Sequence, residues 1–239
     1  TYIDIESARK NNFKINWSQE ILSKPKFLGK KIIEDLDINI LKEYIDWTPF
    51  FRTWDLHGRF PNILDDKVVG NQAKELYNDA KEMLDKIINE NWLVARACFG
   101  IYCSNSIGDD IEIYTDEKRN NVKCKFITLR QQLKKREGIP NFALSDFIAP
   151  KESKFNDYMG IFCVTAGFGC DETANEFIDK NDDYSSIMIK ALADRLAEAF
   201  AEYLHREIRI NYWAYSPYEE INNEGLIKEK YRGIRPAPG

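Results

Sequence analysis

The sequence is poor in the residues that build covalent or metal frameworks. Its five cysteines, Cys98, Cys103, Cys124, Cys163 and Cys170, are odd in number and contain no C-x-x-C pair. That pattern excludes a disulfide scaffold and leads us to expect reduced thiols in a cytoplasmic setting. Only two histidines occur, His57 and His205, and with no thiolate pair beside either, no metal is expected on this chain alone. No stretch approaches 18 uninterrupted apolar residues, and residues 1–12 alternate in charge without the apolar centre of a signal peptide, so no membrane partner is expected. Phosphate-binding glycine loops are absent too, since Gly167-Phe-Gly169 is too short for a nucleotide fingerprint and leads into an acidic helix start. The net charge of −5 disfavours broad contact with a nucleic-acid backbone. Neither an internal repeat nor a low-complexity linker divides the 239 residues, which predicts a single domain.

What is present is a soluble globular composition, 44% apolar and 31% charged, in a chain long enough to bury a sizeable core. Residues 1–40 read as an irregular arm with short helical pieces, broken by Pro25 and Gly29. Residues 41–45 read as the last turns of a helix halted before Pro49. Over 68–91, apolar residues recur at three and four, the spacing of one helical face. Residues 92–103, 111–114 and 122–129 carry strand-like patterns with a turn over 104–110, an antiparallel meander, and 158–165 gives a further strand. A short helix is expected over 171–179. Asp182 and Asp183 precede the longest helical pattern, with Tyr184, Met188, Leu192, Leu196, Phe200 and Leu204 four apart. A last helix is expected over 218–231, acidic early and basic late in accord with the helix dipole. Together these give an α+β fold.

Four features bear on chemistry. In the closing segment GIRPAPG (233–239), two prolines remove amide donors and hold Arg235 and nearby carbonyls in an extended array. A guanidinium so held can fork onto a carboxylate, although the same composition also describes an interdomain linker. Asp46, before the aromatic run Trp47, Phe50 and Phe51, is either a shielded carboxylate for a cation or amine, or a turn aspartate satisfied by local amides. Glu198 shares a helical face with Asp194 and Glu202, which fits either a cationic partner or a solvated face supplied with Lys190, Arg195 and Arg206. A basic run, Lys123, Lys125, Arg130, Lys134, Lys135 and Arg136, either steers an acidic protein or is simply a solvent-exposed strand and loop.

Seven collinear segments carry a resemblance: YIDWTPFF (44–51), DDKVVG (65–70), GDDIEIY (108–114), LRQQ (129–132), DDY (182–184), KALADRLAEAFAEYLH (190–205) and GIRPAPG (233–239). In order and over nearly the whole chain, they resemble the C-terminal activation domain of cobalamin-dependent methionine synthase, a methyltransferase. The resemblance implies a twisted antiparallel sheet flanked by helices, and S-adenosylmethionine as ligand. It implies that Arg235 and Gly239 belong to the binding motif and that Asp46, Glu198, Glu229 and Ala237 fall at ligand-contacting positions. Arg235 would meet the methionyl carboxylate; Asp46 and Glu198 or Glu229 would hold amine or sulfonium-side groups. It further implies a cobalamin-binding domain or subunit as partner, for which Asp194 is a candidate contact, and a flavodoxin-like reductant, with the basic run as dock. The domain would support reductive methylation of cobalt(II) cobalamin without turning over alone. The family continues past Gly239 with a Tyr-Pro pair and further structure, so the C-terminal end of the module is expected to be missing here. A docking module that no longer binds S-adenosylmethionine is the alternative.

Overall fold

The computed structural model describes residues 1–18 and 22–236. In chain order the elements are α1 (Ile5–Lys10), β1 (Gly29–Leu36), α2 (Ile38–Leu41), α3 (Trp47–Arg52), α4 (Gly70–Asn89), β2 (Val94–Ile107), β3 (Asp110–Tyr114), β4 (Val122–Ile127), β5 (Asp157–Phe168), α5 (Cys170–Asp179), α6 (Asp183–Glu207) and α7 (Asn223–Ile227). The five strands form one sheet in the order β1-β2-β3-β4, with β5 also on β2; β2–β3 and β3–β4 are antiparallel. The expected α+β architecture of an antiparallel sheet with flanking helices is therefore what the chain adopts. Residues 1–40, expected to be irregular, contribute the edge strand β1. Its sequence, GKKIIEDL, hides the strand because it is mostly exposed and shows no alternation of apolar and polar residues.

Two compact units are each assembled from three stretches of chain, so no single linker separates them. The first comprises Thr1–Lys30, Phe99–Ile161 and Asn211–Tyr215. Its core includes Phe99, Ile101, Ile111, Ile113 and Tyr114. The β2–β3 hairpin turns on two residues, Gly108 and Asp109, between the paired Ile107 and Asp110, and Gly108 supplies the positive φ of 58° that tight hairpin turns require. The turn expected over 104–110 is thus much shorter: Ser104, Asn105 and Ser106 continue β2. These residues mimic a loop because they are polar, yet all three are buried, and the side chains of Asn105 and Ser106 find tertiary partners. Asn105 Nδ2 donates to the carbonyls of Ala149 and Phe155, each at 2.9 Å, and Ser106 Oγ donates to that of Ile148 at 2.8 Å.

The second unit comprises Lys31–Cys98, Phe162–Ile210 and Ser216–Gly239. Its centre is α6, whose Met188, Ile189, Leu192, Leu196, Phe200 and Leu204 are buried against residues of α2, α3, α4 and α5. The helix starts where the sequence indicates, with the Asp182 carboxylate accepting from the Ser185 N–H at 3.0 Å. Helices α4 and α5 lie close to their expected bounds. Gly169, at φ +89°, caps α5 so near the carbonyl of Trp92 that a Cβ would sit 2.2 Å from its oxygen.

Two helical readings are corrected here. The helical turns expected over 41–45 do end before Pro49, as α2 and a 3-10 turn at Lys42–Tyr44, but the proline is not what stops them: a new helix, α3, begins at Trp47 and takes Pro49 into its first turn. Proline is tolerated there because first-turn amides have no intrahelical acceptor. The helix expected over 218–231 shrinks to the five residues of α7, begun by Asn222 accepting from the Gly225 N–H at 2.9 Å. Glu219 is drawn into a buried ion pair with Arg209 instead, and Glu229 adopts a left-handed φ of 52° that ends helical geometry.

Candidate functional site

The site is built on one face of α6 and on the chain that returns over it after α7. Asp194, Glu198 and Glu202, four apart, share that face, and their side chains pass from solvent into the protein: 72%, 52% and 9% exposed. A uniformly solvated stripe would not show this gradient. The countercharge for its buried end comes from Arg235, not from the helix's own cations. Arg235 Nη2 bonds Glu202 Oε1 and lies 3.7 Å from Glu198. Arg195 pairs with Asp194, and Arg206 with Glu207.

Deeper along the same face, the helix continues through His205 into a π-helical turn, Ile208–Tyr212, that carries Arg209. Arg209 is fully buried. Its guanidinium forks onto Glu219, at 2.8 Å from Nε and 2.6 Å from Nη2, and donates from Nη1 to His205 Nδ1 at 2.7 Å. The Tyr231 ring lies 4.1 Å from the centre of that guanidinium and edge-on to His205. Burial, reinforced by Arg209 and Arg235, pushes the His205 imidazole down to about 3. It is therefore neutral, with Nδ1 accepting from Arg209 and the proton on Nε2.

Burial raises the Glu202 carboxyl above the usual range; Arg235 opposes this, and the Glu198 charge adds to it. Burial also works against the Arg235 charge, but Glu202, Tyr231 and Glu198 outweigh it and raise its guanidinium further. Three polar atoms at this place are buried and make no well-directed hydrogen bond among the described residues: Glu202 Oε2, Arg235 Nε and the Tyr231 hydroxyl, which lies close enough to Arg235 to act on its guanidinium. Native interiors leave few such atoms, and each costs roughly 1–3 kcal/mol, so a cluster of three marks a place where an external group would find ready partners.

The candidate residues from the sequence divide accordingly. Arg235 and Glu198 meet. Glu229 lies close enough for its charge to act on both Glu202 and Tyr231. Asp46 accepts from the Thr48 N–H at 2.9 Å as the N-cap of α3, the local alternative for this residue. The carbonyl of the adjacent Ile45 accepts from Asn223 Nδ2 at 3.4 Å, which ties that turn to the start of α7. Ala237 and Gly239 fall outside the described residues. Sequence reasoning passed over Tyr231, His205, Arg209 and Glu219. Their signal is visible only in part, as the continuation 198, 202, 205, 209 of one helical face; the partners from 219 and 231 are not adjacent in sequence.

The basic run is not continuous either. Arg130 is buried in the first unit, 2.7 Å from both Asp109 and Asp146 and bonded to the Asn141 carbonyl, so it is a structural anchor. Lys125 faces Glu112 across the β3–β4 ladder, while Lys134 and Arg136 are exposed. No cluster of three or more metal-ligating side chains occurs among the described residues.

Comparison with known proteins fits this organisation. A crystal structure described as the MetH reactivation domain bound to AdoHcy superposes with a TM-score of 0.95 at 50% sequence identity, covering 100% of this chain and 73% of that one. Residues 37–239 match the family model described as vitamin B12 dependent methionine synthase, activation domain. With a fold shared over its whole length and a family match over more than four-fifths of it, the chain belongs to the activation-domain family of vitamin B12-dependent methionine synthase.

Proposed function

We propose that this chain binds S-adenosylmethionine, and its demethylated product S-adenosylhomocysteine, where Arg235 meets α6. The observation that carries this reading is the trio of buried polar atoms on Arg235, Glu202 and Tyr231 that make no well-directed hydrogen bond among the described residues. A second support is the solved relative at 50% identity, whose description names AdoHcy as bound. The chemistry of the cluster fits an amino-acid end: Arg235 receives the methionyl carboxylate, and Glu198 or Glu229 holds the ammonium or the sulfonium side; Asp46, whose carboxylate caps α3, is proposed as a further contact to the same groups. Ala237 and Gly239, outside the described residues, are proposed as further ligand contacts.

In this reading the chain is the reactivation module of a methyltransferase that forms methionine from homocysteine. Bound S-adenosylmethionine supplies an activated methyl group for the reductive methylation of cobalt(II) cobalamin held by a separate domain. The residues of this chain bind and orient the donor, so the protein's contribution is proximity, not covalent catalysis. A flavodoxin-like protein supplies the electron, and Lys134 with its exposed neighbours is its dock. The proposed location is the cytoplasm, the setting expected for five cysteines without a C-x-x-C pair; no helix among the described residues is long and apolar enough to cross a membrane.

Calorimetric titration with S-adenosylmethionine tests the reading directly. Binding is expected, and Arg235→Ala should weaken it by roughly 1.5–3 kcal/mol, the scale of a charge-assisted hydrogen bond. Absence of any heat or thermal stabilisation from the folded chain would instead support a docking module without ligand.

A further inference from the structure

Arg235 and Glu202 form a pair that uses only part of each group. One guanidinium nitrogen, Nη2, meets one carboxylate oxygen, Oε1, while Nε of the first and Oε2 of the second stay buried and unpartnered among the described residues. A guanidinium engages a carboxylate most fully through two parallel bonds, as Arg209 does with Glu219 one layer deeper. The contrast matters because both pairs are built on the same helical face. The deeper pair is complete, whereas the outer one has an open donor beside a half-exposed Glu198.

The charges facing Glu202 are unbalanced. From α6 and its π-helical extension it faces Glu198, the neutral His205, and Arg209, whose donors are committed to Glu219 and His205. From the C-terminal segment it faces Glu229, Tyr231 and Arg235. Among the described residues, Arg235 is thus the cation that Glu202 has to itself. A ligand carboxylate that forks onto Arg235 takes away that countercharge. It leaves a buried carboxylate next to two others, and a buried group in that position is neutralised more readily than it stays charged.

We propose that Glu202 is a placeholder carboxylate that positions Arg235 in the free protein and takes up a proton from solvent when a ligand carboxylate claims the guanidinium. This inference rests on the ligand reading above. It makes Glu202 a positioning residue and couples ligand binding to pH.

The test is calorimetric titration of the chain with S-adenosylhomocysteine near pH 7 in two buffers of different ionisation enthalpy. The expected result is an observed enthalpy that depends on the buffer, corresponding to net uptake approaching one proton per ligand. Affinity should then fall as pH rises, by up to about tenfold per unit. Glu202→Gln, which keeps the shape of the side chain, should still bind but lose most of the proton uptake and flatten the pH profile. Binding without buffer dependence in the unaltered chain overturns the proposal while leaving the ligand site intact. Undiminished proton uptake in Glu202→Gln does the same. No binding of S-adenosylhomocysteine by the folded chain overturns the ligand reading itself and this inference with it.

Discussion

His205 shows how one residue can report on the site without touching solvent. Its imidazole is held down to about 3, whereas in an unfolded chain it would titrate near 6.5. Above about pH 6.5 neither state carries the proton and the full stability is present. As pH falls below that value the unfolded chain gains a proton that the native site refuses, so stability declines toward pH 3 by up to about 1.4 kcal/mol per unit. Urea unfolding followed between pH 7 and pH 4 should show this acid limb, and His205→Gln, which keeps an acceptor for Arg209, should flatten it. Glu202 bends the profile the other way, because its raised carboxyl favours the protonated native state until pH rises through its folded value. Arg209 gives a blunter prediction. Arg209→Met strands the Glu219 carboxylate, whose side chain is only 5% exposed. Chemical denaturation should register a loss of roughly 3–5 kcal/mol.

At the scale of elements, α6 does two jobs with two faces. Its apolar face is legible in the sequence as a four-residue spacing, and the bounds inferred from Asp182 and Asp183 agree with the helix observed. Its polar face reads as an ordinary charged stripe until the return of the C-terminal segment buries one end. The N-cap is a local feature that mutation can isolate: Asp182→Ala should cost about 1 kcal/mol, read as a lowered denaturation midpoint with an unchanged slope. Gly169→Ala should cost more, roughly 1–3 kcal/mol, because both the left-handed φ and the Trp92 carbonyl oppose a side chain. The shortened helix after residue 218 carries the opposite lesson. Its charge pattern suits a helix dipole, but a bidentate buried ion pair outweighs a surface dipole interaction worth only about 0.3–1 kcal/mol.

For the whole molecule, ligand binding and partner recognition become separable predictions. A ligand that binds only the native state stabilises it by about 2.7 kcal/mol when present at a hundred times its Kd. Saturating S-adenosylhomocysteine should therefore raise the thermal midpoint, and Arg235→Ala should abolish most of that rise. The proposed reductant dock draws on residues of the first unit instead. Charge reversal at Lys134 and Lys135 should weaken salt-sensitive association with a flavodoxin-like protein while leaving the ligand-induced shift unchanged. Unaltered association would count against that dock.

Periodicity, capping residues and turn glycines act over a few positions, so the sequence by itself determined most helices and strands, the α+β class, and the Arg235 segment as a place of interest. The collinear motifs determined the family. Long-range pairing is invisible to local pattern, and the tertiary structure alone decided what those residues face. It buried Arg130 between two aspartates and turned a polar run at 104–106 into buried strand. Above all it brought Arg235 to Glu202 and Tyr231 to His205 and Arg209. Those contacts span tens of residues and exist only once packing of the apolar face of α6 has fixed where its polar face points.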